Sequence, residues 1–420
     1  MSNHPLKNPS RRFFSGSIPW IGLILVLTAA VIFFPAASQA DDHDEEKIES
    51  SQVPDVVSDE LAWLLGKVSV SKSGSDGKGA ESQPTIDAGA IENLLEFVLS
   101  DKKDGLYHAD RKKFSKSESA YYEFDITNQL DRLLEMIHNP GIPGSFLAPS
   151  SMRISTWLKG GGKNMAPSVW KDIISRREPF LVQGVEHVVN TPDQFSGGYY
   201  EYNLNRTMAM VKHNGKNVFI SLSRQPKVSE VGKRGFVLGS DDDWNYLYSG
   251  KKGLAKSGIE WVKSYMYDSR TVAILYETSP GKARWAIFKW VKAGWLRANV
   301  VKRRHIYQGI QRYVKTFRKI IESPLLPDVP ELVAAFSNIR NLSDESLKTK
   351  ISVYLRDLEK KYGKDKESAR KLSKGMPDKE IYLSKMTKAE MHSILFLEYI
   401  KRIFNKKNLS NRPIVPSQGS

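Results

Sequence analysis

The sequence predicts an α+β fold: a mostly antiparallel sheet of about six to eight strands with a long packing helix, followed by a C-terminal helical subdomain. Val, Ile, Tyr, Phe, Trp and Thr cluster between turn residues from Phe180 to about Lys302, and the connections are too short for helical crossovers. An amphipathic stripe follows at once: Ile306, Ile310, Tyr313, Val314, Phe317, Ile320 and Ile321 share one side, Arg312, Lys315, Arg318 and Lys319 the other. Pro324 and Pro327 close it, and beyond Pro330 the periodicity is wholly helical.

Ahead of the sheet, Asp41 to Ser50, with its acidic run Asp41 to Glu46, has the composition of a solvated tail, Asp59 to Gly66 reads as a short helix, and Ser69 to Pro84 is a Ser-, Gly- and Lys-rich linker. Ile91, Leu94, Leu95 and Val98 give Ile86 to Leu99 a helical face, and Lys102 to Ser119 is polar and irregular. Tyr121 to Ile126 alternates as a strand does, and Gln129 to His138 is a helix stopped by Asn139-Pro140-Gly141. Asn214-Gly215 has the chemistry of a two-residue type I′ hairpin, so Met210 should face Phe219 and Met208 should face Ser221. That register puts Ala209, Val211, Val218, Ile220 and Leu222 on one face and Met208, Met210 and Phe219 on the other. A second hairpin runs from Thr271–Glu277 through Ser279-Pro280-Gly281 into Arg284–Lys292. Ser343 starts a helix through Leu347, Ile351, Tyr354, Leu355 and Leu358, and Thr387 with Glu390 forms a capping box. The expected division is 41–85 as an acidic, flexible segment, 86–325 as the α+β domain, 326–405 as helical and 406–420 as a disordered tail.

Residues 1–40 read as an address. Lys7, Arg11 and Arg12 precede an apolar run from Ile18 to Phe34, Pro35 breaks it, and Ser38-Gln39-Ala40 suits a signal peptidase, leaving Asp41 as the new terminus. This predicts a periplasmic or secreted protein; the alternative is an inner-membrane anchor retained at the N-terminus. Arg11-Arg12 also fits a twin-arginine signal. The absence of cysteine excludes disulfides, thiolate metal sites, covalent haem, iron–sulfur clusters and cysteine nucleophiles. The formal charge of +16 falls to about +13 without the three n-region cations. In an exported protein that charge points to anionic lipid headgroups or envelope polymers, with no nucleic-acid partner.

No catalytic constellation emerges. A G-x-S-x-G elbow is absent, and Ser168 with Lys171 fits S-x-x-K, but so do Ser69 with Lys72 and Ser75 with Lys78. Lys256-Ser257-Gly258 is similar to a K-[TS]-G strand, yet the middle S-x-N element is missing. Gly160 to Lys163 fails as a phosphate loop because Asn164 stands where Ser or Thr is needed. The histidines are scattered, and Asp241-Asp242-Asp243 lacks the calcium-loop pattern, so a turn or capping role is expected and truncation of Asp241 should be nearly silent. No metal or cofactor is expected.

The order of strand (Tyr121–Ile126), helix (Gln129–His138), antiparallel strands (Phe180–Lys302) and long closing helix (Ile306–Ile321) resembles the helix-grip arrangement of START-like lipid-binding domains over about half the chain. The stretch from Ile142 to Glu178 and the C-terminal helices depart from it. The resemblance implies an apolar pocket between helix and sheet, with Met208, Met210, Phe219, Ile274 and Phe317 as candidate lining residues. Lys302, Arg303, Arg304, Arg312 and Lys315 are the candidate contacts to an anionic membrane. The expected function is non-catalytic binding of a lipophilic or amphiphilic molecule in the envelope. An interaction protein with a solid core is the alternative, and a glycan- or lipid-acting hydrolase is a third reading that lacks a motif.

Overall fold

The computed structural model describes residues 50–68, 86–100, 102, 105–139, 141–160, 180–192, 197–256, 259–406 and 409. Outside them lie the leader and acidic tail, the linker, Ser168 with Lys171, the Gly161–Asn164 stretch, and Ser257-Gly258.

The fold is α+β and its main sheet has nine strands. In chain order the strands are β1 (Ser50–Gln52), β2 (Leu106–His108), β3 (Glu118–Ile126), β4 (Met152–Gly160), β5 (Phe180–Asn190), β6 (Gly198–Tyr199), β7 (Glu201–His213) and β8 (Lys216–Arg224). They continue as β9 (Lys233–Val237), β10 (Tyr246–Lys252), β11 (Leu254–Lys256), β12 (Ile259–Val262), β13 (Tyr265–Ser279) and β14 (Lys282–Gly294). The main sheet runs β1-β2-β3-β14-β13-β8-β7-β5-β4 and is antiparallel except for the β1–β2 edge. β10-β9-β6 and β11-β12 form two small sheets. Asn214 and Gly215 both take positive φ in the tight turn between β7 and β8, as a type I′ turn demands, and Met210 faces Phe219 while Met208 faces Ser221. The second hairpin is also present, turning at Gly281 with φ +76°.

Each face of the sheet carries its own core. The outer face buries Ala209, Val211, Val218, Ile220, Leu222, Val272 and Ile274 beneath helices α1 (Asp55–Gly66) and α2 (Glu92–Leu99). Residues 50–66 therefore belong to the folded domain rather than to a flexible segment ending at 85, because β1 extends the sheet and Leu61, Leu64 and Leu65 have their burial site there. The inner face packs on α3 (Leu130–His138) and on the long α4 (Arg303–Ile321), whose stripe of Ile306, Ile310, Val314, Phe317, Ile320 and Ile321 is buried. The C-terminal helices α5 (Val329–Arg340), α6 (Asp344–Tyr362), α7 (Lys366–Gly375), α8 (Lys379–Ser384) and α9 (Lys388–Ile403) share this inner core. The expected caps are in place: Ser343 accepts from Ser346 N at 3.2 Å, and Thr387 and Glu390 exchange bonds at the start of α9.

Two further details differ from expectation. The stretch after Ile142 supplies an edge strand, β4, whose Arg153 pairs with Glu390 of α9 at 2.5 Å. The tail is held as far as its described residues reach: Lys406 lies 4.0 Å over the Trp244 ring, and Leu409 N donates to Glu398 Oε2 at 2.7 Å.

The Asp241–Asp243 turn does more than cap. Asp241 Oδ2 accepts from Arg312 Nε of α4 at 2.7 Å, a second bond joins Arg312 to Oδ1, and the Tyr246 hydroxyl donates to Oδ1 at 2.7 Å. A bidentate, largely buried guanidinium contact is worth about 1–3 kcal/mol. Asp241→Ala should lower unfolding free energy by about that much in urea titration, and an unchanged midpoint would refute the tie between this turn and α4.

Candidate functional site: a recess beneath helix α4

Strand alternation and the paired registers line up the inner face in rows that cross the sheet. One row reads Gly184, Arg206, Ser223, Thr271, Lys289, Ala120, and the next reads Val182, Met208, Ser221, Ala273, Ile287, Tyr122. A third, toward the hairpin ends, reads Met210, Phe219, Leu275, Trp285, Phe124 and is wholly buried. The face thus grades from large apolar side chains to small and polar ones.

α4 covers the apolar end. Phe317 sits edge-on to Trp285 and Phe124, with centroids at 5.1 and 6.4 Å, and Tyr313 stacks on Phe317 at 5.7 Å. Around the polar rows, Lys289, Tyr313, Tyr202 and His138 are half-buried. These side chains lie between the sheet and the helices that pack on its inner face.

The charges on this face interact. Arg206 Nε donates to Glu186 Oε2 at 2.6 Å, its Nη1 donates to Ser221 Oγ at 2.8 Å, and the Ser155 hydroxyl donates to Glu186. Lys289 Nζ reaches Thr271 Oγ1 at 3.4 Å; burial first and Arg206 second push its ammonium down to about 8. The same two causes push His138 down to about 3, so its ring is neutral at pH 7. Burial raises the Tyr313 phenol, which stays protonated.

Of the residues singled out in the sequence, Met208, Met210, Phe219 and Phe317 meet in the inner core. Ile274 does not: it pairs with Ile220 and points to the outer face. The five basic candidates are not a free cationic stripe. Arg312 is held by Asp241, Lys315 contacts Asp242 at 3.3 Å, Arg303 contacts Glu118 at 3.5 Å, Arg304 is half-buried, and Lys302 is exposed. Arg206, Glu186 and Lys289 escaped sequence reasoning, although extending the Asn214-Gly215 register by two residues puts Arg206 on the face of Met208.

Two cavities are formed by described residues. One of about 40 Å³ beside Arg153, Tyr248 and Phe396 has room for little more than a water molecule. The other, a cleft of about 320 Å³ at the β2–β3 edge, is lined by Lys102, Gly105, Tyr107, Tyr121, Tyr122, Glu123 and Tyr307. Among the described residues no group of three side chains could hold a metal ion.

No family model and no curated protein matches the sequence. Two solved structures show a weak, fold-level resemblance. The lipid transfer and protein localization domain of human StarD13 (DLC2) is 10% identical, covers 56% of this chain and 95% of its own, and gives a TM-score of 0.27. Human STARD10 is 8% identical, covers 57% and 82%, and gives 0.24. The likeness is to START-like domains and is one of general element arrangement.

Proposed function

We propose that the chain is a non-catalytic binding protein that encloses one amphiphilic molecule in the recess beneath α4. The observation that supports this reading is the set Lys289, Tyr313, Tyr202 and His138, half-buried on the inner face beside rows that mix Gly, Ser and Ala with apolar side chains. Titration with a dansyl-labelled fatty acid should be saturable. Thr271→Phe, which puts an aromatic ring into the recess, should weaken binding by roughly tenfold or more. A wild-type protein that shows no saturable uptake sinks the proposal.

The working place of the protein belongs to the same reading. Residues 1–40 support export with cleavage after Ala40, so N-terminal sequencing of the exported protein should begin at Asp41; a terminus at Met1 would favour the anchored form. Contact with an anionic membrane surface is supported by the loop leading into α4. There Leu296 is 91% exposed, with φ +50°, shortly ahead of exposed Lys302. Cosedimentation with phosphatidylglycerol vesicles should exceed that with phosphatidylcholine vesicles and fall several-fold in Leu296→Ser; equal binding to both vesicles would contradict it.

A further inference from the structure

The strands bring three charged side chains to the inner face: Arg206 and Lys289 in the first polar row, and Glu186 two residues beyond Gly184 on the same face of β5. Glu186 is already used, since it accepts from Arg206 at 2.6 Å and from the Ser155 hydroxyl. Lys289 has no carboxylate partner among the described residues, and its one hydrogen bond is the 3.4 Å contact to Thr271. Among the described residues, no carboxylate of the helices over this face is paired with Lys289. α3 contributes neutral His138, and α4 contributes Tyr313 and Phe317. An enclosed ammonium without a counter-ion is unfavourable until an anion joins it, whereas an apolar side chain there would cost the fold nothing comparable. Two hydroxyls lie on one side of the position: Thr271 stands opposite Lys289, and Ser223 stands next to Thr271 in the row. That is the donor set for an oxyanion, while the adjoining Val182, Met208 and Ile287 suit hydrocarbon.

We infer that Lys289 is the anchor for a single anionic headgroup, a carboxylate or a phosphate monoester, on the amphiphile that occupies the recess. The inference rests on the proposed binding role and narrows it to acidic lipids. Arg206, held by Glu186, lends the headgroup field without leaving its own partner.

The experiment compares hexadecanoate, hexadecyl phosphate, hexadecanol and hexadecylamine on the purified full chain by displacement of the dansyl-labelled fatty acid. Acetate and inorganic phosphate serve as chainless anions. The two long-chain anions should bind roughly tenfold or more tighter than the alcohol, as a charge-assisted bond implies, and the amine weakest. In Lys289→Met, which removes the charge at similar volume, acid and alcohol should converge. If the alcohol equals the acid on the wild type, or if Lys289→Met keeps the acid preference, the headgroup assignment is overturned while the binding role stands. Acetate or phosphate binding as tightly as hexadecanoate would overturn the amphiphile and assign the site to small anions. Uptake of none of them overturns the assignment together with the binding role.

Discussion

Phe317→Asp should abolish folding of the domain. Phe317 is 0% exposed and lies against Phe124, Trp285 and Tyr313, at the point where α4 meets the sheet. Truncation to Ala alone should cost about 3–5 kcal/mol through lost contacts and the cavity left behind. An aspartate adds the desolvation of a carboxylate with no cation beside it, several kcal/mol more. Together these approach the roughly 5–15 kcal/mol that holds a domain folded. The Ala variant should lower the urea midpoint without changing the slope, and the Asp variant should give no cooperative transition. A cooperative, near wild-type transition for Phe317→Asp would mean that α4 is not seated on the sheet.

The second large effect is expected far from the recess, in α9. Lys401 and Glu398 are 0% and 1% exposed. Lys401 Nζ donates at 2.6 Å to both Glu398 Oε1 and Asn245 Oδ1, and the other Glu398 oxygen accepts from Leu409 N. Asn245 in turn donates to the Tyr362 hydroxyl at 2.7 Å, so one network joins α6, α9, the turn before β10 and the chain at 409. Removing one member of a buried pair strands the other, and Lys401→Ala should cost about 3–5 kcal/mol. Replacing both with apolar residues of similar size, Lys401→Met with Glu398→Leu, should cost far less, because no buried charge is left unpaired. Urea titration of the two variants checks this; equal losses in both would show that packing rather than charge governs the site.

Local chemistry made much of the sheet legible. Asn214-Gly215 fixes a register within a few residues, and that alone assigned Met208, Met210 and Phe219 to one face and Ile220 to the other. Likewise the caps at Ser343 and Thr387 are short-range signals. What stayed hidden depends on contacts distant in sequence. Ile274 faces outward because it lies opposite Ile220 across two strands separated by a long excursion. Strand β4 carries Arg153, Ser155 and Thr156 and lacks an apolar run, and its partners Asn190 to Gly184 come after a long intervening stretch. Lys289 and Arg206 are not singled out in the sequence, since alternation cannot say which face a helix will cover. Glu398 and Lys401 look like an ordinary surface pair at i,i+3 until the fold buries them. Asp241 looked dispensable because Arg312, its partner, lies well along the chain.

The most direct test of the recess is native mass spectrometry, with solvent extraction, of the protein gently purified after export. The account predicts one added mass per chain, released by extraction and identified as a long-chain amphiphile. A protein of bare chain mass that also fails to acquire such a molecule when incubated with total envelope lipids would contradict it.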